Sequence, residues 1–171
     1  DSEVSIKLGE ALEAIQNNVD ELDFVVNYKA FKSGDLDIVK EEVCEGTKLG
    51  IDEDRIVKWI IESAALTSEE VAGLTSLIRD IVIECVGEQK ASNVFVKTST
   101  GFYKPEGGGS GGATIDDVSI MSINAGPLKV KASGGIYSRE DLEKMVDAGA
   151  SRIGTSAGLE IIKGEEANTD Y

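Results

Sequence analysis

Five short β-rich runs, each followed by a stretch of helical periodicity, predict an α/β fold with a parallel sheet. Three observations carry that reading. Apolar residues recur every three or four positions in the longer segments, as on one face of a helix. The runs between them are only four to seven residues long and rich in Val, Ile and Phe. Helix-start signals such as Thr67 with Glu70 and Thr114 with Asp117 stand directly ahead of the periodic segments.

Taken in order, Val4, Leu8, Leu12, Ile15 and Val19 mark a first helix, and Leu22 to Tyr28 a first strand. A helix from about Asp35 carries Leu36, Val39 and Val43 inward, with Gly50 as its expected C-cap. Ile56 to Glu62 is the second strand. The Thr67–Glu70 box then opens a helix with Val71, Leu74, Ile78, Ile81, Val82 and Cys85 on one stripe, ended by Gly87. Asn93 to Lys97 is the third strand. The stretch Lys104 to Gly112 (KPEGGGSGG) is too glycine-rich for regular structure and reads as a flexible loop or an introduced linker. After the helix capped at Thr114 come a fourth strand, Leu128 to Lys131, and a helix from Ser138 using Leu142, Met145 and Val146. A short fifth strand, Ser151 to Gly154, precedes a last helix through Leu159 and Ile162.

Composition bounds the function. The 171 residues suit one domain and hold 17 Lys+Arg against 32 Asp+Glu, a net charge of −15. Such a surface repels phosphodiester backbones, which argues against a nucleic-acid partner. There is no histidine, so Ser-His-Asp, Cys-His and His-ligated metal chemistry are excluded, and no metal or cofactor is expected. Cys44 and Cys85 lie 41 positions apart with no CxxC pair; they read as two small buried thiols in a reducing cytosol, not as a disulfide. The longest apolar stretches, such as Ile78 to Val86, are short and interrupted by charge, so no membrane span is expected, and no basic leader opens the chain.

A βαβ succession fits either an open doubly wound sheet or part of a (β/α)8 barrel. The barrel is favoured because Asp23, Glu62, Lys97 and Lys131 interrupt otherwise apolar strands. In a barrel such residues point into the lumen near its top, where active sites gather.

Strands three and four end alike, in Lys97-Thr-Ser-Thr-Gly101 and Lys131-Ala-Ser-Gly-Gly135. Each puts an amine at a strand tip followed by hydroxyl and glycine residues. On adjacent strands the two amines converge, and one ammonium discourages protonation of the other, freeing a nucleophile for Schiff-base formation. A single such lysine reads as a solvated charge; the pair does not. Lys129 shares a face with Lys131 and competes for its role, whereas Lys58 is placed near the barrel's bottom. Gly134-Gly135 and Gly154-Thr155-Ser156-Ala157-Gly158 each precede a helix, suiting a phosphate cradle or simply a tight turn. Asp23 is either a buried partner for a lysine or a proton shuttle, and Glu62 is a weaker candidate of the same kind.

These residues bring the chain to a family. Phe95-Val-Lys-Thr-Ser-Thr-Gly-Phe102, Gly112-Ala-Thr114, Val130-Lys-Ala-Ser-Gly-Gly-Ile136 and Arg152-Ile-Gly-Thr-Ser-Ala-Gly158 resemble deoxyribose-phosphate aldolase, a (β/α)8 (TIM) barrel lyase. Leu22 to Asn27, Lys32-Ser-Gly-Asp35 and Trp59 to Glu62 match in the same order. The resemblance implies a cytoplasmic class I aldolase that needs no cofactor and acts on a phosphorylated sugar, with self-association open. Lys97 would be the Schiff-base lysine, Lys131 the second lysine that lowers its pKa, and Asp23 the proton relay. Gly101, Gly134, Gly135 and Ser156 would hold the phosphate. Some members end in a tyrosine that reaches the site, and Tyr171 ends this chain. Ala157 stands where many relatives have serine. Against a barrel of about 250 residues, residues 1–171 form a single partial domain with five of eight βα units, the first three and ~80 residues being absent. Its alternative is an inactive barrel fragment, or a class I aldolase for another phosphorylated carbonyl compound.

Overall fold

The computed structural model describes residues 3–105, 108 and 111–164; Tyr171 and Gly107, Gly109 and Ser110 of the glycine-rich stretch lie outside them. Along the chain run α1 (Val4–Gln16), β1 (Glu21–Val25), α2 (Tyr28–Ser33), α3 (Leu36–Asp52) and β2 (Ile56–Ile60). A 3-10 turn at Ser63–Ala65 leads into α4 (Ser68–Val86), α5 (Glu88–Ala91) and β3 (Val94–Lys97). Then come α6 (Ile115–Asn124), β4 (Lys129–Ser133), α7 (Arg139–Asp147), β5 (Arg152–Gly154) and α8 (Gly158–Lys163).

The strands pair in parallel in the order β1-β2-β3-β4-β5. A doubly wound sheet reverses direction partway, whereas right-handed crossovers that always step the same way put every helix on one face. The sequential order therefore decides for the barrel type. Alternate residues divide between an outer face under the helices and an inner face toward the lumen. Leu22, Phe24, Val57, Trp59, Val94, Val96, Val130 and Ala132 are buried on the outer side. They meet Val39 and Val43 of α3, Leu74, Ile78 and Val82 of α4, and Met121 of α6 in one core. Trp59 is fully buried, stacks on Phe24 with ring centroids 4.9 Å apart, and donates its indole N–H to Thr47 Oγ1 at 3.0 Å.

The local signals hold at the helix starts. Thr67 and Glu70 form both halves of a capping box, as do Ser138 and Asp141. Thr114 accepts from the Asp117 N–H, but the Asp117 carboxylate accepts instead from Ser63 Oγ at 3.0 Å, tying α6 to the loop after β2.

Several expectations need correction. The first strand stops at Val25: Asn27 caps a short helix by accepting from the Ala30 N–H, and Gly34 closes it at φ 82°. Gly50 is not a C-cap. It lies inside α3, which runs on to Asp52, and a Cβ there would stand 2.3 Å from a Val57 methyl, so glycine is what lets α3 press onto β2. The second strand stops at Ile60, and Glu62 takes up a left-handed conformation at φ 53°. The cysteines are not free thiols. Cys44 on α3 and Cys85 on α4 form a disulfide, because the two helices pack side by side and bring their Cα atoms to 5.8 Å. Among the described residues no helix is long and apolar enough to cross a membrane.

Candidate active site

The inner face collects charge from every strand. Lys58 is buried on β2 opposite Asp23 of β1, while Lys97 of β3, Lys131 of β4 and Arg152 of β5 stand in one register row. Only the sheet's curvature makes these distant residues neighbours.

Asp23 is the hub. One carboxylate oxygen accepts from Lys58, and the other accepts from Lys97 Nζ at 2.7 Å with Lys131 Nζ at 3.9 Å. The Lys97 side chain is only 10% exposed, whereas Asp23, on the edge strand, is 32% exposed. Burial works against the Asp23 charge, but hydrogen bonds from Lys58 and Lys97 outweigh it and hold the carboxyl below the usual aspartate range. Burial, and then the Lys97 ammonium, loosen the proton on Lys131 despite the attraction of Asp23. The sequence-predicted Lys97, Lys131 and Asp23 thus share one carboxylate oxygen. Lys129, the competitor, is exposed and stands over the Phe95 ring, 5.6 Å from its centroid.

The loops at the strand tips build a second feature beside the amines. Ser133 to Tyr137 with Gly154, Thr155 and Ser156 line an open cavity of about 290 Å³. Gly134 and Gly135 adopt φ values of 82° and 73°, which turn the chain back over this space. A Cβ on Gly154 would sit 2.8 Å from Ser133 Oγ and 3.1 Å from Lys131 Cε, so its bare backbone leaves room for the lysine stem to pass. The cavity therefore adjoins Lys131. Three of its eight lining residues are glycines and three are Ser or Thr, the kind of lining that receives a phosphate.

Gly101 is not among the residues lining it. It lies exposed in the loop after β3, held through its neighbour Thr100, whose N–H and Oγ–H both reach the buried Glu62 carboxylate, at 3.1 and 2.6 Å. Glu62 thus anchors the loop after β3. The end of the glycine-rich stretch is likewise not slack: a Cβ on Gly112 would stand 2.4 Å from the Gly134 carbonyl carbon, and one on Gly111 1.9 Å from the Tyr103 carbonyl oxygen. Glycine at 112 is what lets the loops after β3 and β4 touch.

Three site residues escape a reading of the sequence. Lys58 is not remote from the amines but bound to Asp23, and it also lies 2.8 Å from Glu21. Glu21 in turn accepts from Arg152 Nη1 at 2.6 and 2.8 Å. Burial opposes the Glu21 charge, but Lys58 and Arg152 prevail and keep it below the usual glutamate range. The signal available was parity: each lies an even number of residues from a named site residue or from its register partner.

No family model matches the chain. Among curated proteins, it is 45% identical over 168 residues to the deoxyribose-phosphate aldolase of Streptococcus pneumoniae serotype 19F (strain G54), covering 98% of this chain and 68% of that protein. Among solved structures, an aldolase designated QR15 superposes with a TM-score of 0.77 at 37% identity, over 95% of this chain and 66% of its own. Deoxyribose phosphate aldolase from Aeropyrum pernix gives 0.74 at 30% identity, over 95% and 62%. The chain thus spans about two thirds of the relatives it matches. With that identity sustained over nearly every residue, and five parallel strands in barrel order, the chain belongs to the deoxyribose-phosphate aldolase family.

Proposed function

We propose that the chain carries the Schiff-base chemistry of a class I aldolase, cleaving 2-deoxy-D-ribose 5-phosphate to D-glyceraldehyde 3-phosphate and acetaldehyde. The observation that supports this most is that two lysine amines converge on one oxygen of Asp23, beside a cavity lined by glycine and hydroxyl residues. Lys131, a second cation at the same Asp23 oxygen, discourages a charge beside it, and Lys97 as the free amine attacks the C1 aldehyde. Water departs and a protonated imine forms. The C3 hydroxyl gives up its proton, relayed through Asp23, and the C2–C3 bond breaks toward the imine, which takes the electron pair as an enamine. Glyceraldehyde 3-phosphate leaves. Protonation at C2 and addition of water then release acetaldehyde and return the amine.

Gly134, Gly135 and Ser156 are the proposed phosphate holders, with Gly101 approaching from the facing loop. Four cations face two carboxylates among Glu21, Asp23, Lys58, Lys97, Lys131 and Arg152, so the lumen is positive inside a chain of net charge −15 and draws an anionic sugar inward. A phosphorylated sugar does not cross a bilayer unaided, which supports a cytoplasmic place of action; the free-thiol half of that expectation falls with the disulfide.

Borohydride reduction in the presence of acetaldehyde, followed by peptide mass mapping, tests the proposal. An ethyl group on Lys97, lost in Lys97→Ala, supports it; no adduct at any lysine overturns it. A second reading, a barrel fragment that condenses with aldehydes but does not turn over, is favoured by the exposure of Asp23 along the edge strand. An adduct without cleavage of deoxyribose 5-phosphate would select it.

A further inference from the structure

We propose that Glu21 and Arg152 are positioning residues for the candidate amines, forming a bridge across the mouth of the sheet that fixes Asp23, through Lys58, between Lys97 and Lys131. The proposal rests on the aldolase reading and deepens it. β1 and β5 are the two edges of the sheet and share no backbone hydrogen bond. Their side chains nevertheless meet, since Arg152 holds both oxygens of Glu21 across 131 positions of sequence, with its guanidinium 4.5 Å from the Phe95 ring centroid. From there charge alternates without a break. Glu21 lies 2.8 Å from Lys58, Lys58 bonds Asp23, and Asp23 takes Lys97 and faces Lys131.

One guanidinium nitrogen, Nη1, bonds both Glu21 oxygens while the planar group lies against Phe95, so Arg152 is held from two sides and anchors the rest. Lys58 divides its charge between two carboxylates. Without Glu21 it would bear on Asp23 alone, and the amines would lose part of their counter-charge. Without Arg152, the Glu21 carboxylate would bear on Lys58 alone, and a cation in the same register row as Lys131 would be gone. The two removals therefore push the amines in opposite directions. The charged groups facing them are Glu21 and Asp23 from β1, Lys58 from β2, and Arg152 from β5. Lys129 of β4 is held apart, over Phe95. A merely structural bridge would cost folded protein without moving any titration.

The test is to label the lysines with carbon-13 at Cε and follow their titration by NMR, assigning Lys131 by its absence in Lys131→Met. In Glu21→Gln the Lys131 midpoint should fall by about half a pH unit, and in Arg152→Gln it should rise by a similar amount. The double variant, which removes no net charge, should return close to the parent. Where one single variant does not fold, the other decides: a Lys131 midpoint displaced in its stated direction supports the bridge, and an unmoved or oppositely displaced one overturns it. Shifts of the same sign in both single variants, or none in either, also overturn it. Acetaldehyde trapping on Lys97 as a function of pH, run in parallel, keeps the two claims apart. If the parent forms no adduct the aldolase reading fails, while the lysine titrations still settle the bridge.

Discussion

The two faces of the sheet are built on opposite principles. The outer face is apolar, continuous with the helices and closed to water: Trp59 stacks on Phe24 and bonds Thr47. The inner face is a string of ion pairs joining all five strands, from Glu21 to Arg152. Burying apolar surface is favourable wherever volumes fit. Holding several like charges together is favourable only when carboxylates are interleaved among them. The first face should therefore carry stability and the second should carry chemistry, and substitutions ought to separate the two.

The largest stability effect should come from the outer face. Trp59→Ala should cost about 3–5 kcal/mol in denaturant unfolding, from the void left against Phe24 and α3. Trp59→Phe, which keeps most of the ring but strands the Thr47 hydroxyl, should cost less. If Trp59→Ala were no more damaging than Lys131→Met, the division between the faces would fail. Next in size is the Cys44–Cys85 bridge, which staples α3 to α4 over the same core. Closing a loop of 41 residues constrains the unfolded chain, so reduction, or Cys85→Ser, should lower stability by about 2–4 kcal/mol. Unfolding curves with and without reductant, alongside a thiol count, would show it.

What was legible in the sequence follows the same divide. Helix starts at Thr67 and Ser138 were readable because a capping box closes within four residues. The outer core was readable because its spacing is the helical period. Lys97 and Lys131 stood out because their motifs repeat, so no knowledge of register was needed. Lys58, Glu21 and Arg152 were not readable beyond their parity, because parallel strands set their register through connections of 18 to 33 residues, and a bridge between the two sheet edges has no local trace. Gly50 was misread for a related reason: a glycine late in a helix looks like a cap unless the strand it must admit, here at Val57, is known. The cysteine pair was misread because a bond depends on which helices become neighbours, and that is a property of the sheet order.

The smallest effect, and the sharpest on the inner face, concerns the pH dependence of stability. Asp23 has a lowered pKa, so its ion pairs contribute fully above the unfolded value near 4 and are lost as pH falls through the folded one. Lys131 has the opposite consequence. Its pKa is lowered by burial and by Lys97, so between the folded value and roughly 10.4 the unfolded chain holds a proton that the folded chain has released. Stability credited to this site therefore rises with pH across that window, instead of falling as it does for a lysine that gains a partner on folding. Lys131→Met should flatten the rise by raising stability at the acid end, where the parent holds a partly buried ammonium that methionine does not need. Urea unfolding of parent and variant at intervals from pH 6 to 10 would read the difference directly. A parent whose stability falls faster than the variant's as pH climbs would mean that Lys131 is held as a settled ion-pair partner, and the inner face would then be a structural network like the outer one.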